Sequence, residues 1–161
     1  RALVPDPVYA AQDYDEMSRI ASRVLDDVRG RMLEDIVLME TARAFAAGRQ
    51  SRRAVKVMFP RGEYDLVIAD PESRACSIFE IKHSLSRTKD QARHLRDGEM
   101  LSATEAQFGR IVERTVLYRG ENFSEPDGVV YRNVEEYLAF RYLQEKLVLR
   151  GQTIPNSLVA R

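Results

Sequence analysis

Two apolar segments joined by a six-residue turn constrain the fold of this chain more than any other feature. The segments "YDLVIA" (64–69) and "CSIFEIK" (76–82) are rich in the β-branched and aromatic residues of strands, and "DPESRA" between them is typical of a turn. We therefore predict an antiparallel hairpin in which Ala69 lies opposite Cys76.

The register of this hairpin brings charged side chains together at one end. Counting back from the turn places Val67 opposite Ile78 and Asp65 opposite Glu80, and Lys82 follows Glu80 on the same face because residues two apart in a strand share a face. Two adjacent carboxylates repel each other unless a cation lies between them, and Mg²⁺ prefers such oxygen ligands. The alternative is a surface ion pair between Glu80 and Lys82, worth about 0–1 kcal/mol.

The remaining elements follow from periodicity and from turn residues. Before the hairpin, the pattern predicts a helix over 13–30 that ends at Gly30, a second helix over 31–47 and a strand over 54–59. After it, we expect a polar helix over 87–108 that is broken near Gly98. Strands over 114–120 and 128–132 come next, and a last helix runs from an Asn133 N-cap to Gly151.

This order, α-β-β-β-α-β with an extra strand and a C-terminal helix, predicts one α/β domain over residues 1–161 with a mixed central sheet. The chain has 161 residues, 44% of them hydrophobic, and no apolar run approaches the length of a membrane span. We therefore expect a cytoplasmic protein without a membrane partner. The single Cys76 has no partner for a disulfide.

The charges balance overall but are locally uneven. Twenty-five basic residues match twenty-five acidic ones, yet the stretch between Glu40 and Glu63 contains six basic residues and no acidic one. Within it, Arg49, Arg52 and Arg53 form a candidate nucleic-acid-binding cluster. Solvated faces of helices and loops explain such a run equally well.

These motifs resemble the PD-(D/E)xK nuclease superfamily, whose core has the order α-β-β-β-α-β. The resemblance rests on Asp65, the "EIK" triplet at 80–82 and the earlier helical Glu34. More narrowly, four segments resemble the nuclease-like C-terminal domain of unknown function in bacterial and archaeal P-loop AAA-type ATPases: "GRMLEDIVLMETARAF", "GEYDLVIAD", "FEIKHS" and "TVLYRGENFSEPDGVVYRNVEEYL". The "VPDP" at 4–7 belongs to the same resemblance. Tyr64 stands where the superfamily name has proline.

The resemblance implies a metal site and a catalytic lysine. Asp65 and Glu80 would bind Mg²⁺ or Mn²⁺ directly with the Ile81 carbonyl, and Glu34 would reach the ion through water. Lys82 would orient and help to deprotonate the attacking water. Gln91 resembles an assisting residue of some related nucleases. Apart from the resemblance, Glu34 could equally be a capping or partly buried charge on an apolar helix face.

Two function classes follow from the resemblance. One is a Mg²⁺-dependent phosphodiesterase that cleaves nucleic acid, and the other is a catalytically idle module that binds nucleic acid or regulates its ATPase. The chain begins at Arg1 and has no GxxxxGK[ST] motif, so we expect a fragment whose ATPase region lies upstream and which does not itself hydrolyse ATP. His83 and His94 are expected to be surface or hydrogen-bonded residues.

Overall fold

A six-stranded mixed sheet is the centre of the described part of the chain. The computed structural model describes residues 7, 11, 13–150 and 152. The strands lie in the order β1-β2-β3-β4-β6-β5. Strands β1 to β3 are antiparallel neighbours, β4 is parallel to both β3 and β6, and β5 is antiparallel to β6. The strand bounds are β1 Arg53–Phe59, β2 Gly62–Asp70, β3 Ala75–Ile81, β4 Arg110–Tyr118, β5 Phe123–Ser124 and β6 Val129–Asn133.

Helices cover both faces of this sheet. Helix α1 (Tyr14–Ala47) and helix α3 (Val134–Leu149) pack against one face, and helix α2 (Gly98–Phe108) packs against the other. The α1/α3 face buries Val37, Leu66, Phe79, Leu117 and Tyr137, and the α2 face buries Val67, Ile78, Leu95, Tyr118 and Tyr131. The predicted α/β class and mixed sheet are therefore confirmed.

The prediction of two helices before the hairpin was wrong. One continuous helix of 34 residues, α1, begins at Tyr14 and runs through Gly30. Its N-cap is Asp13, whose side chain accepts a hydrogen bond from the Glu16 amide at 3.0 Å. A glycine inside a helix costs only about 1 kcal/mol relative to alanine, and strong helix formers on both sides outweigh that cost. Gly30 therefore lies within a helix and does not end one.

The region predicted as one polar helix is divided differently. Short 3₁₀ turns over Lys89–Ala92 and His94–Arg96 precede helix α2. Asp97 accepts hydrogen bonds from the amides of Glu99 and Met100, so Gly98 is the first residue of a helix. An N-cap aspartate stabilises the start of a helix by about 1 kcal/mol, and Gly98 follows it directly, so this glycine does not break a helix.

The last helix starts where the sequence predicts. Asn133 is its N-cap and accepts hydrogen bonds from the amides of Glu135 and Glu136 at 2.9 and 3.0 Å. The helix ends at Leu149, and Gly151, its predicted end, lies outside the described residues. The same holds for residues 4–6 of the "VPDP" segment. Within the described ranges, no helix combines the length and the apolar character needed to cross a bilayer.

The hairpin register is confirmed up to a bulge in β2. Val67 lies opposite Ile78, as predicted, and the ladder between β2 and β3 continues to Leu66 and Phe79. On the other side of β2 the pairing shifts by one residue around Lys56 of β1. Asp65 and Leu66 together therefore face one residue of β1, which is the arrangement of a β-bulge. Direct opposition of Asp65 and Glu80, which the sequence predicts, is not part of the ladder.

Candidate metal and lysine site

The bulge in β2 directs the Asp65 carboxylate toward the end of β3. Its Oδ2 accepts a hydrogen bond from the Ile81 amide at 2.7 Å and contacts Lys82 Nζ at 3.1 Å. Asp65 is buried, with only 4% of its surface exposed. Its side chain thus satisfies a backbone amide of the neighbouring strand just where the backbone ladder stops. The contact of Ile81 within this cluster is made by its amide, and metal binding by its carbonyl, which the resemblance implies, stays a prediction.

Glu80 is the second buried acid at this end of the sheet. Its residue is 2% exposed, its Oε2 contacts Lys82 Nζ at 2.5 Å, and its Oε1 contacts His94 Nδ1 at 2.8 Å. Burial raises the pKa of Glu80, and the negative charge of Asp65 raises it further, against the opposing effects of Lys82 and His94. Glu80 is therefore held by Lys82, which also contacts Asp65, and by His94.

Lys82 joins the two carboxylates. One Nζ contacts both Asp65 and Glu80, so Lys82 and the two acids converge as the sequence predicts. Burial favours the neutral amine, but the two carboxylates outweigh that effect and raise the pKa of Lys82. In this arrangement Lys82 is an ammonium ion whose side chain is 32% exposed.

Helix α1 brings Glu34 to the same region, but with a different set of neighbours. Carboxylate oxygens of Glu34, Glu63 and Asp65 lie within 4.8 Å of one another, close enough to share one ion. Glu80 is not a member of this group. Lys56 Nζ contacts both Glu34 Oε2 and Glu63 Oε1 at 3.0 Å. Burial, and then the charge of Asp65, raise the pKa of Glu34 against the effect of Lys56.

An open cleft of ≈ 460 Å³ lies beside Lys82. Gln91 lines it together with Glu34, which places both predicted residues next to the lysine. The Gln91 amide nitrogen donates to Ser84 Oγ at 2.8 Å and to the Ser86 carbonyl at 3.0 Å, so Gln91 holds the loop after β3. Gly30 of helix α1 also lines the cleft.

The arginine cluster lies at the other end of the sheet. Arg52 Nε contacts Asp70 Oδ2 at 3.3 Å, at the end of β2 opposite to the bulge. Asp70 lies five positions after Asp65 in β2, which corresponds to about 17 Å along a strand. Arg49 and Arg53 are exposed near the start of β1. The structure does not bring the three arginines and the acidic residues together.

Three residues of the site were not predicted from the sequence, namely Glu63, Lys56 and His94. Glu63 precedes Asp65 by two positions in a strand, which is a local signal that could have been noticed. Lys56 reaches the cluster through the pairing of β1 with β2, and His94 reaches Glu80 from a 3₁₀ turn. The predicted hydrogen-bonded state of His94 is correct, but the sequence contains no sign of its partner.

The donor set of this region fits a hard divalent cation. The candidate ligands are carboxylate oxygens, which Mg²⁺ and Mn²⁺ prefer. In the described part of the chain, the group of Glu34, Glu63 and Asp65 includes no sulfur ligand. Comparison with known proteins adds no assignment, since no family model, no curated protein and no solved structure matches this chain.

Proposed function

We propose that this chain is the nuclease-like C-terminal domain of a P-loop ATPase and that it cleaves phosphodiesters of nucleic acid with Mg²⁺ or Mn²⁺. The observation that carries the proposal is the contact of one lysine, Lys82, with two buried carboxylates, Asp65 and Glu80, from adjacent strands. Ionisable groups whose pKa values are shifted by burial and by charged neighbours, as those of Glu80 and Lys82 are, cluster at functional sites.

The arrangement of elements supports the same proposal. A helix precedes three antiparallel strands, and a crossover containing helix α2 leads to β4, which is parallel to β3. This is the order α-β-β-β-α-β of a restriction-endonuclease-like core, followed by the additional strands and helix α3. The fold class alone does not determine function, so the proposal depends on the site.

Each residue has a distinct task in the proposed reaction. Asp65 and Glu80 hold the ion, and Glu34 reaches it from helix α1. When bound, the ion acidifies a coordinated water and stabilises charge on the phosphate. The ammonium of Lys82 would orient the attacking water. Because an ammonium ion cannot accept a proton, Lys82 would act as a base only after it has lost its own proton, and an ion that neutralised Asp65 and Glu80 would favour this loss by lowering the pKa of Lys82. The open cleft beside Lys82 and Gln91 is the place for the scissile phosphate.

A second function is supported by the ion pairs themselves. Lys56 and Lys82 together contact all four carboxylates of the region: Glu34, Glu63, Asp65 and Glu80. A site whose carboxylates are all paired with its own lysines can be catalytically idle. The domain would then bind nucleic acid, through Arg49, Arg52 and Arg53, or regulate the ATPase region of its own chain.

Cleavage assays separate the two functions. The wild-type protein, incubated with single- and double-stranded DNA and RNA in Mg²⁺ or Mn²⁺, should cut at least one substrate, and Lys82→Ala should abolish cutting. Cleavage that survives Lys82→Ala would refute the assigned role. If nothing is cut, also with the full-length protein and ATP, the idle module is the correct description. Its affinity for nucleic acid should then fall steeply with salt and with loss of the three arginines.

Metal binding is tested separately by thermal unfolding. Mg²⁺ or Mn²⁺ should raise the melting temperature, because an ion that binds only the folded state stabilises it by mass action. Asp65→Asn should remove most of that increase, whereas Asp90→Asn, an exposed control in a 3₁₀ turn, should leave it unchanged. An equal increase in wild type and Asp65→Asn would contradict the ligand assignment.

A further inference from the structure

Lys56 occupies the position in which a cation would be needed. Its Nζ lies between Glu34, which comes from helix α1, and Glu63, which comes from β2, at 3.0 Å from each. The bulge in β2 opposite Lys56 brings Glu63 and Asp65 close to the same point. Three carboxylates within 4.8 Å of one another repel strongly unless positive charge lies among them.

The net negative charge of this region favours the binding of a divalent cation. With all groups ionised, four carboxylates face two ammonium groups, so the region carries two uncompensated negative charges. Lys82 is held by the two buried acids, whereas Lys56 contacts the two acids that are more exposed, at 22% and 38% of their side chains. The Lys56 side chain is itself 36% exposed and has a flexible stem, so it can move into solvent.

We infer that Lys56 is the resident counter-ion of the metal site and that a divalent cation displaces it from Glu34 and Glu63. Glu63 thereby becomes a further ligand of the ion, beside Asp65. This inference rests on the proposed function for the presence of the ion. It goes beyond that proposal by adding Glu63 to the ligands, because Glu63 lies within 4.8 Å of both Glu34 and Asp65.

The prediction is that removal of the Lys56 charge tightens metal binding. Mn²⁺ titrations by calorimetry should give a dissociation constant at least about fivefold lower for Lys56→Met than for wild type, since a unit charge about 4 Å away is worth about 1 kcal/mol even in water. Lys56→Arg keeps the charge and should bind as wild type does. Lys89→Met, at an exposed lysine of a 3₁₀ turn, is the matched control. Glu63→Gln should weaken binding.

The outcomes distinguish this inference from the proposed function. Equal or weaker Mn²⁺ binding by Lys56→Met overturns the inference, and so does the absence of binding in both proteins. Suppose that the wild-type protein shows metal-dependent cleavage but that folded Lys56→Met binds Mn²⁺ with unchanged affinity. The nuclease proposal would then stand, and the counter-ion role would be refuted. Tighter binding without cleavage of any substrate would support the counter-ion role and contradict the nuclease. Circular dichroism establishes that each variant is folded.

Discussion

Replacing Lys82 by methionine should destabilise the fold strongly in the absence of metal. Methionine keeps the length of the side chain but leaves Asp65 and Glu80, which are 4% and 2% exposed, without their shared cation. Removing one partner of a buried ion pair costs about 3–5 kcal/mol. Because a third of the Lys82 side chain is exposed, water screens part of the interaction, and we expect the lower end of this range, about 3 kcal/mol.

The stability deficit of Lys82→Met should depend on pH, and the direction of that dependence follows from the pKa of Glu80. Burial already raises the pKa of Glu80, and Lys82 opposes this shift, so the variant should raise the pKa further. Above the usual glutamate pKa of about 4.3, the folded variant then binds a proton that the unfolded chain releases. The stability deficit of Lys82→Met should therefore be small near pH 5 and grow as pH rises toward 8, until the raised pKa is passed.

Urea unfolding in EDTA at several pH values measures this effect. Wild type, Lys82→Met, Lys82→Arg and Lys89→Met should be compared by circular dichroism, and Lys89→Met should lose less than about 0.5 kcal/mol because its side chain is exposed. Lys82→Arg keeps the charge and should be intermediate. A Lys82→Met protein within about 0.5 kcal/mol of wild type at pH 8 would refute the reasoning that the lysine holds two ionised buried acids.

Three further predictions concern the frame around the site. Gly30→Ala should raise the free energy of unfolding by about 0.5–1 kcal/mol, because no atom lies within 4 Å of the added Cβ, and a lower melting temperature would contradict this. Thr41→Val should cost about 1–2 kcal/mol, since it removes the 2.8 Å hydrogen bond to Tyr137, and a double-mutant cycle with Tyr137→Phe should reveal the coupling. Gly109→Ala should cost at least about 2 kcal/mol in denaturant unfolding, because φ is 92° and the new Cβ would overlap the Arg74 carbonyl; wild-type stability would disprove that argument.

Local patterns were enough to predict five of the six strands and their order along the chain, whereas the two-residue strand β5 was predicted as part of a loop. The turn over 70–75, the alternating apolar residues and the Asn133 cap are short-range signals, and the elements they predict are present with boundaries shifted by a few residues. The convergence of Asp65, Glu80 and Lys82 was predicted for the same reason, since two of them lie in one segment and the third is linked to them by a short hairpin.

The surroundings of these residues were decided by the tertiary structure. The β-bulge opposite Lys56 depends on how β1 pairs with β2, and it turns Asp65 toward Glu34 and Glu63. The approach of His94 to Glu80 depends on a crossover that packs on the far face of the sheet.

Sequence alone thus determined that Lys82 meets the acids Asp65 and Glu80, because strand periodicity and turn length are local properties of the chain. Only the tertiary structure decided that Lys56 holds Glu34 and Glu63 and that His94 reaches Glu80. Pairings of that kind join residues from separate elements, and they depend on distances of a few ångströms that packing sets and periodicity does not encode.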